Sequence, residues 1–216
     1  MKFKAVIFDL DGTLVCTLPE YRYRIVGKTL ADLGATATPH DIDRFWFESR
    51  RNELIRTLFG VDPGAFWNIF RMYDAPELRK QFTRPYDDVS FLPELRRHGC
   101  KTGIVTGSPV SIASLEIEML GKDLFDAIVI AQASNGIQPK PHPHGLEECL
   151  NLLAVEHDRA LYIGNADEDI LTARNAHVFD VFLARGEHEF PDVTPSLRIR
   201  SLFELRDILG ISHDTT

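Results

Sequence analysis

Five short apolar stretches punctuate the chain, at residues 4–8, 102–105, 127–130, 160–163 and 178–183. They lack the strict alternation of a half-exposed strand, which is what a parallel sheet shows when helices cover both of its faces. Between most of them lie segments whose apolar positions recur at helical spacing, at 111–120, 143–153 and 168–176, with others near 91–98 and 201–209. The alternation predicts βα units and hence an α/β fold, a Rossmann-like parallel sheet with helices on both faces.

Residues 15–84 break this rhythm, because they carry helical periodicity and no evident strand. Gly34, Pro39, Gly60, Pro63 and Pro76 divide the stretch into about four helices, since Gly and Pro end or start helical runs. We therefore expect an inserted all-helical domain at 15–84 and a core domain made of 1–14 and 85–216.

Composition narrows the class of partner. The 216 residues are 44% hydrophobic and 26% charged, an ordinary folded composition, and a chain of this size builds a core without disulfides or structural metal. Its net charge of −8 disfavours nucleic acid and anionic membranes, which bind through clustered Lys and Arg. The charge is uneven: residues 15–84 hold 11 basic and 9 acidic residues, so the remainder carries −10. Cys16, Cys100 and Cys149 are odd in number and form no CxxC pair, which points to a reducing, cytoplasmic setting. The run Ala5-Val6-Ile7-Phe8 stops at Asp9, too short for a secretory or membrane-spanning segment, so we expect no targeting signal.

Four polar clusters follow four of the apolar runs. The first is Asp9-Leu10-Asp11-Gly12-Thr13, two carboxylates where ligands of open α/β sheets bind. Such a pair suits a hard cation such as Mg2+, although the same letters also describe a turn leaving a strand. The second, Thr106-Gly107-Ser108, offers a hydroxyl and amides that suit an oxyanion or a plain helix cap. The third places Lys140 among stiffening prolines in Gln138-Pro139-Lys140-Pro141-His142-Pro143, and the fourth is Gly164-Asn165-Ala166-Asp167-Glu168-Asp169. Singly each has a bland reading as a cap or a solvated loop; four at successive strand ends point to one site.

In this order the clusters resemble the motifs of the haloacid dehalogenase-like hydrolase superfamily, over nearly the whole chain. The insert resembles that family's helical cap domain, and the pattern is most similar to phosphoglycolate phosphatase-like members. The resemblance implies a phosphatase for a small phosphorylated metabolite. In it Asp9 attacks phosphorus and Asp11 serves as acid and then base. Thr106, Gly107 and Lys140 bind phosphate, and Mg2+ is held by Asp9, the Asp11 carbonyl, Asn165 and Asp169. We expect a monomer or homodimer. Asp11 argues against dehalogenation, because the family's dehalogenases lack that second aspartate.

Asn165 departs from the family's GDxxxD pattern and removes one negative charge from the expected metal site. Two alternatives accordingly stay open: a phosphomutase of the same fold, and a phosphate-ligand binding protein impaired by Asn165. A nicotinamide enzyme is disfavoured, since no GxGxxG follows the first run. In the insert, Arg22, Arg24, Arg50, Arg51 and Arg56 are candidates to meet an anionic leaving group. Tyr21, Tyr23, Phe45, Trp46, Phe47 and Trp67 read more readily as cap core. We expect the cap to close over the substrate about hinges near 15–18 and 84–86, and His142 and His144 to be surface loop residues.

Overall fold

The computed structural model describes residues 2–190 and 193–211. Its strands are β1 (Ala5–Phe8), β2 (Val15–Thr17), β3 (Thr83–Pro85), β4 (Lys101–Thr106), β5 (Ala127–Ile130), β6 (Ala160–Gly164), β7 (Phe179–Leu183) and β8 (Leu197–Ile199). The chain divides into two compact units, residues 1–16 with 85–216, and residues 17–84.

The first unit is built on a six-stranded sheet of order β5-β4-β1-β6-β7-β8, parallel at every pairing. The alternating side chains of a strand explain why its sequence is continuously apolar. Val6 and Phe8 enter one buried cluster with Ile104, Leu161 and Val181, while Ala5 and Ile7 enter another with Val105, Leu146 and Tyr162. Both faces of β1 are thus covered, as the runs predicted. The centre of the sheet, β4-β1-β6, sets three strand ends side by side: Phe8 lies level with Ile104 on one side and Ile163 on the other. Residues 9, 106 and 164 therefore emerge at one edge.

The second unit contains α1 (Pro19–Asp32), α2 (Pro39–Phe47), α3 (Arg51–Leu54), α4 (Pro63–Tyr73) and α5 (Pro76–Arg79), with a π-helical turn at Ile55–Phe59 continuing α3. Proline stands in the first turn of four of them, where its missing N–H costs nothing. Thr38 and Asp41 form a reciprocal capping box on α2, and Asp62 caps α4 through the Ala65 N–H at 2.9 Å. The core is aromatic: Phe45 lies 5.1 Å from Phe66 and 5.4 Å from Phe59 between ring centroids.

Two features of this stretch differ from the sequence reading. It has more helical pieces than four, because one-turn helices and a π turn are too short to show a period. It is also flanked by strands, since β2 pairs with β3, and three residues of strand fall below any pattern window.

Helices of the first unit continue the numbering: α6 (Leu92–Arg97), α7 (Val110–Leu120), α8 (His144–Leu153), α9 (Asp167–Asn175) and α10 (Leu205–Leu209). The terminal segment expected as one helix from Ser201 begins as a 3-10 turn, Leu202–Glu204, before α10. Among the described residues no helix is long and apolar enough to cross a membrane.

A buried ion pair ties this unit together. Asp88 receives Arg185 bidentately at 2.7 and 2.9 Å, with the Leu202 N–H at 2.8 Å and the Ser201 hydroxyl at 3.1 Å. Burial opposes the charge on Asp88, but Arg185 and these donors outweigh it and hold the carboxyl below its ordinary range. A carboxyl lowered on folding stabilises fully above its unfolded-state pKa of about 4 and loses that contribution as pH falls through the lowered value. We expect the melting temperature of the wild type to fall over that acidic window, and that of Asp88→Asn, already lower, to fall less steeply.

Candidate active site

Three of the polar residues, Asp9, Lys140 and Asp169, form one buried cluster. Asp9 follows β1, and its N–H donates to the Ile163 carbonyl at 2.8 Å, which extends the β1–β6 ladder by one residue and fixes the start of its side chain. Lys140 Nζ donates to Asp9 Oδ1 at 2.7 Å and to Asp169 Oδ1 at 2.6 Å. These side chains are 9%, 5% and 1% exposed for Asp9, Lys140 and Asp169. Two carboxyl groups thus share one ammonium in very little water.

Supporting contacts set the orientation of each group. Asp169 lies in the first turn of α9, where its Oδ2 accepts the Ala166 N–H at 3.1 Å. The loop carrying Lys140 is tied to the far end of the same helix, through Asn175 Nδ2 on the Pro141 carbonyl at 2.9 Å. Thr13 turns its hydroxyl between Asp9 Oδ2 at 3.2 Å and Asn165 Oδ1 at 3.1 Å.

Burial pushes the Asp9 carboxyl up to about 7, with Lys140 pulling against it and Asp169 adding to the rise. Desolvation works the other way on Lys140, but Asp169 and Asp9 overcome it and hold the ammonium protonated. The Asp9 carboxylate therefore depends on its ammonium partner for its charged form.

The remaining expected residues lie around this triad. Asp11 is half-buried and its backbone bridges to Val15 in the turn that follows β1. Thr106 ends β4, with its hydroxyl accepting the Ser108 N–H at 3.1 Å. Gly107 is exposed, and a Cβ placed on it would sit 4.0 Å from Lys140 Cε. Among the described residues neither Thr106 nor Gly107 hydrogen-bonds to the triad, whereas Asn165 reaches it through Thr13.

Two glycines are dictated by space. Gly12 has φ +81°, and a Cβ there would lie 2.3 Å from Asn165 Nδ2; at Gly164 it would lie 2.2 Å from the Asp169 carboxylate. We expect Gly12→Ala to destabilise the fold by about 1–3 kcal/mol and to displace Asn165, measurable as a lower denaturation midpoint with reduced turnover.

Tyr162, on β6, was not singled out in the sequence. Its hydroxyl lies 3.1 Å from Asp169 Oδ1, 3.2 Å from the Val105 carbonyl and 3.4 Å from Lys140 Nζ, and burial holds it as the neutral phenol. Within an apolar strand a tyrosine reads as core, and no neighbouring letter distinguishes it.

In the second unit the candidate arginines separate. Arg22 is buried, 2.6 Å from Asp43 Oδ1 and over the rings of Tyr23 and Phe47, so its charge is already spent within that unit. Arg24 is exposed, Arg50 pairs with Glu53 at 3.5 Å, and Arg56 donates to the Asn52 carbonyl at 3.3 Å. Arg51 reaches the Trp46 carbonyl at 3.4 Å. Tyr21, Phe45 and Phe47 are buried, and Tyr23, Trp46 and Trp67 pack against the same core. In the first unit the His142 and His144 rings each accept a backbone N–H, from His144 and Gln138 at 3.1 and 3.2 Å.

The family model for haloacid dehalogenase-like hydrolases matches residues 6–182, which contain the whole cluster. The chain belongs to the haloacid dehalogenase-like hydrolases. Within that family it is 26% identical over 219 aligned positions to pyrophosphatase PpaX of Halalkalibacterium halodurans, covering 98% of this chain and 99% of that one. It is 28% identical to the plasmid-encoded phosphoglycolate phosphatase of Cupriavidus necator, over 81% of this chain and 78% of that protein. A solved structure from Lactobacillus plantarum superposes with a TM-score of 0.81 at 20% identity, covering 96% of this chain and all of the other, a likeness of fold. In this haloacid dehalogenase-like hydrolase the matched segment contains β4, β5 and β6, all but one residue each of β1 and β7, and none of β8.

Proposed function

We propose that the protein is a Mg2+-dependent phosphatase for a small phosphorylated metabolite, a phosphate ester or phosphoanhydride, acting through a phosphoryl group held transiently on Asp9. The observation that carries this reading is the buried Asp9–Lys140–Asp169 triad at the carboxyl edge of the sheet. Relatives named as a pyrophosphatase and a phosphoglycolate phosphatase support the substrate class.

The chemistry follows from the residue types. An Asp9 oxygen bonds to phosphorus as the bond to the leaving oxygen breaks, and Asp11 gives that oxygen its proton. Asp11 then takes a proton from water, whose oxygen attacks the phosphorus and frees Asp9 with release of phosphate. Lys140 keeps Asp9 ionised and neutralises charge on the transferring group, with Thr106 and Gly107 lending a hydroxyl and an amide.

A phosphate dianion would meet two carboxyl groups and one ammonium here, so further positive charge is required. The donors proposed for it are all oxygen: the Asp9 carboxylate, the Asp11 carbonyl, the Asn165 amide and Asp169. Such a set fits a hard cation. Among the described residues no group of three or more His, Cys, Asp or Glu could hold a metal ion, and the proposed set joins Asn165 and a backbone carbonyl to two carboxylates. When bound, Mg2+ supplies the positive charge that lets the anionic phosphoryl group approach Asp9.

Asn165 gives the site one negative charge fewer than a second aspartate would. At an effective dielectric of 20 and a separation of about 4 Å that charge is worth about 4 kcal/mol before screening. We expect Asn165→Asp to lower the Mg2+ concentration giving half-maximal phosphate release by about tenfold or more, and an unchanged value would remove Asn165 from the metal site. A panel of small phosphate esters and pyrophosphate, scored for released phosphate with Asp9→Asn as the blank, tests the function. Isomerised product without free phosphate would instead mark a phosphomutase.

A further inference from the structure

We propose that Arg185, in the loop after β7, is a positioning residue that holds the turn carrying Asp9 and Thr13 in its reactive shape, a role that rests on the phosphatase reading above. Its side chain is only 7% exposed. Nη2 and Nε donate to the Thr13 carbonyl at 2.6 and 3.3 Å, while Nη1 and Nη2 hold Asp88. The guanidinium plane also stacks on Tyr86, 3.8 Å from the ring centroid.

The residue gripped is the one that matters to the site. Thr13 is fully buried, and its hydroxyl sits between Asp9 Oδ2 and Asn165 Oδ1. Fixing the carbonyl of residue 13 fixes where that hydroxyl lies. Asp88 in turn is anchored by Leu202 and Ser201, so a contact chain runs from the terminal helical turn through Asp88, Arg185 and Thr13 to the proposed nucleophile. The planar fork of arginine makes both contacts at once; a lysine ammonium has no such geometry.

The test combines kinetics with amide hydrogen exchange on Arg185→Met and Arg185→Lys. Misplacing a reacting group by about an ångström costs up to about a hundredfold. We expect kcat of Arg185→Met to fall roughly 10–100-fold with KM changed less than about twofold, Arg185→Lys to fall between it and the wild type, and Thr13→Val combined with Arg185→Met to be no slower than Thr13→Val. Exchange protection should be lost selectively at the amides of residues 12–15, while β1, β4 and β6 keep theirs. A lower melting temperature with kcat intact, uniform loss of protection, or additive losses in the double variant would overturn the role. Should the wild type release no phosphate from any ester, the functional reading fails, and the exchange arm still decides whether Arg185 holds the turn.

Discussion

Asp9→Asn is expected to reduce phosphate release by about 10^4-fold or more, because an amide neither attacks phosphorus nor carries the charge that the reaction needs. The fold should survive. The amide keeps an oxygen for Lys140 and a partner for Thr13, and Lys140 retains Asp169 at 2.6 Å. It also removes a carboxylate that burial penalises. Phosphate release and urea denaturation of the same preparation separate these effects: activity should vanish while the midpoint stays near or above that of the wild type. Residual turnover within tenfold of wild type would show that another group attacks phosphorus.

Lys140→Met is expected to be the costliest of these changes to stability, and it lowers activity too. It leaves Asp9 and Asp169 facing each other in a buried site with no counter-charge. Breaking a buried ion pair by removing one partner typically costs about 3–5 kcal/mol. Without the ammonium, burial and Asp169 both drive the Asp9 carboxyl further upward, so the variant becomes relatively more stable as pH falls and Asp9 takes up a proton. Urea midpoints measured from pH 5 to pH 8 in magnesium-free buffer should show the gap to wild type widening with pH. A constant gap would mean that Asp9 and Asp169 are not left opposed.

Much of the fold is visible in the letters for a physical reason. Strands covered on both faces have to be apolar at every position, so runs such as Ala5–Phe8 and Ala160–Ile163 stand out from the amphipathic segments around them. The three-residue strands β2 and β3 and the one-turn helices α3 and α5 are invisible by the same reasoning, since they hold no full period.

Within the candidate site, Asp9 and Asp169 are conspicuous because acids close after apolar runs have few structural reasons to be there, and Lys140 because it stands between stiffening prolines. Tyr162 and Arg185 are not. Tyr162 occupies an inward position of β6 where its ring serves as core, and only its hydroxyl, 3.1 Å from Asp169, gives it a second role. Arg185 lies in a turn of the sort that usually holds solvated arginines, and its partners Thr13 and Asp88 are distant in sequence. Arg22 on α1 carries the opposite lesson: its charge suggests a ligand contact, but Asp43, on α2 and 21 residues along the chain, consumes it.

The account stands on the covalent attachment of phosphorus to the side chain at position 9. Acid quenching during turnover with Mg2+ and a good ester, followed by mass analysis of the peptide spanning residues 5–22, measures this directly. One added phosphoryl group on Asp9, absent from the Asp9→Asn protein, is the predicted result; phosphate released by a fully active enzyme with the label on another residue would contradict it.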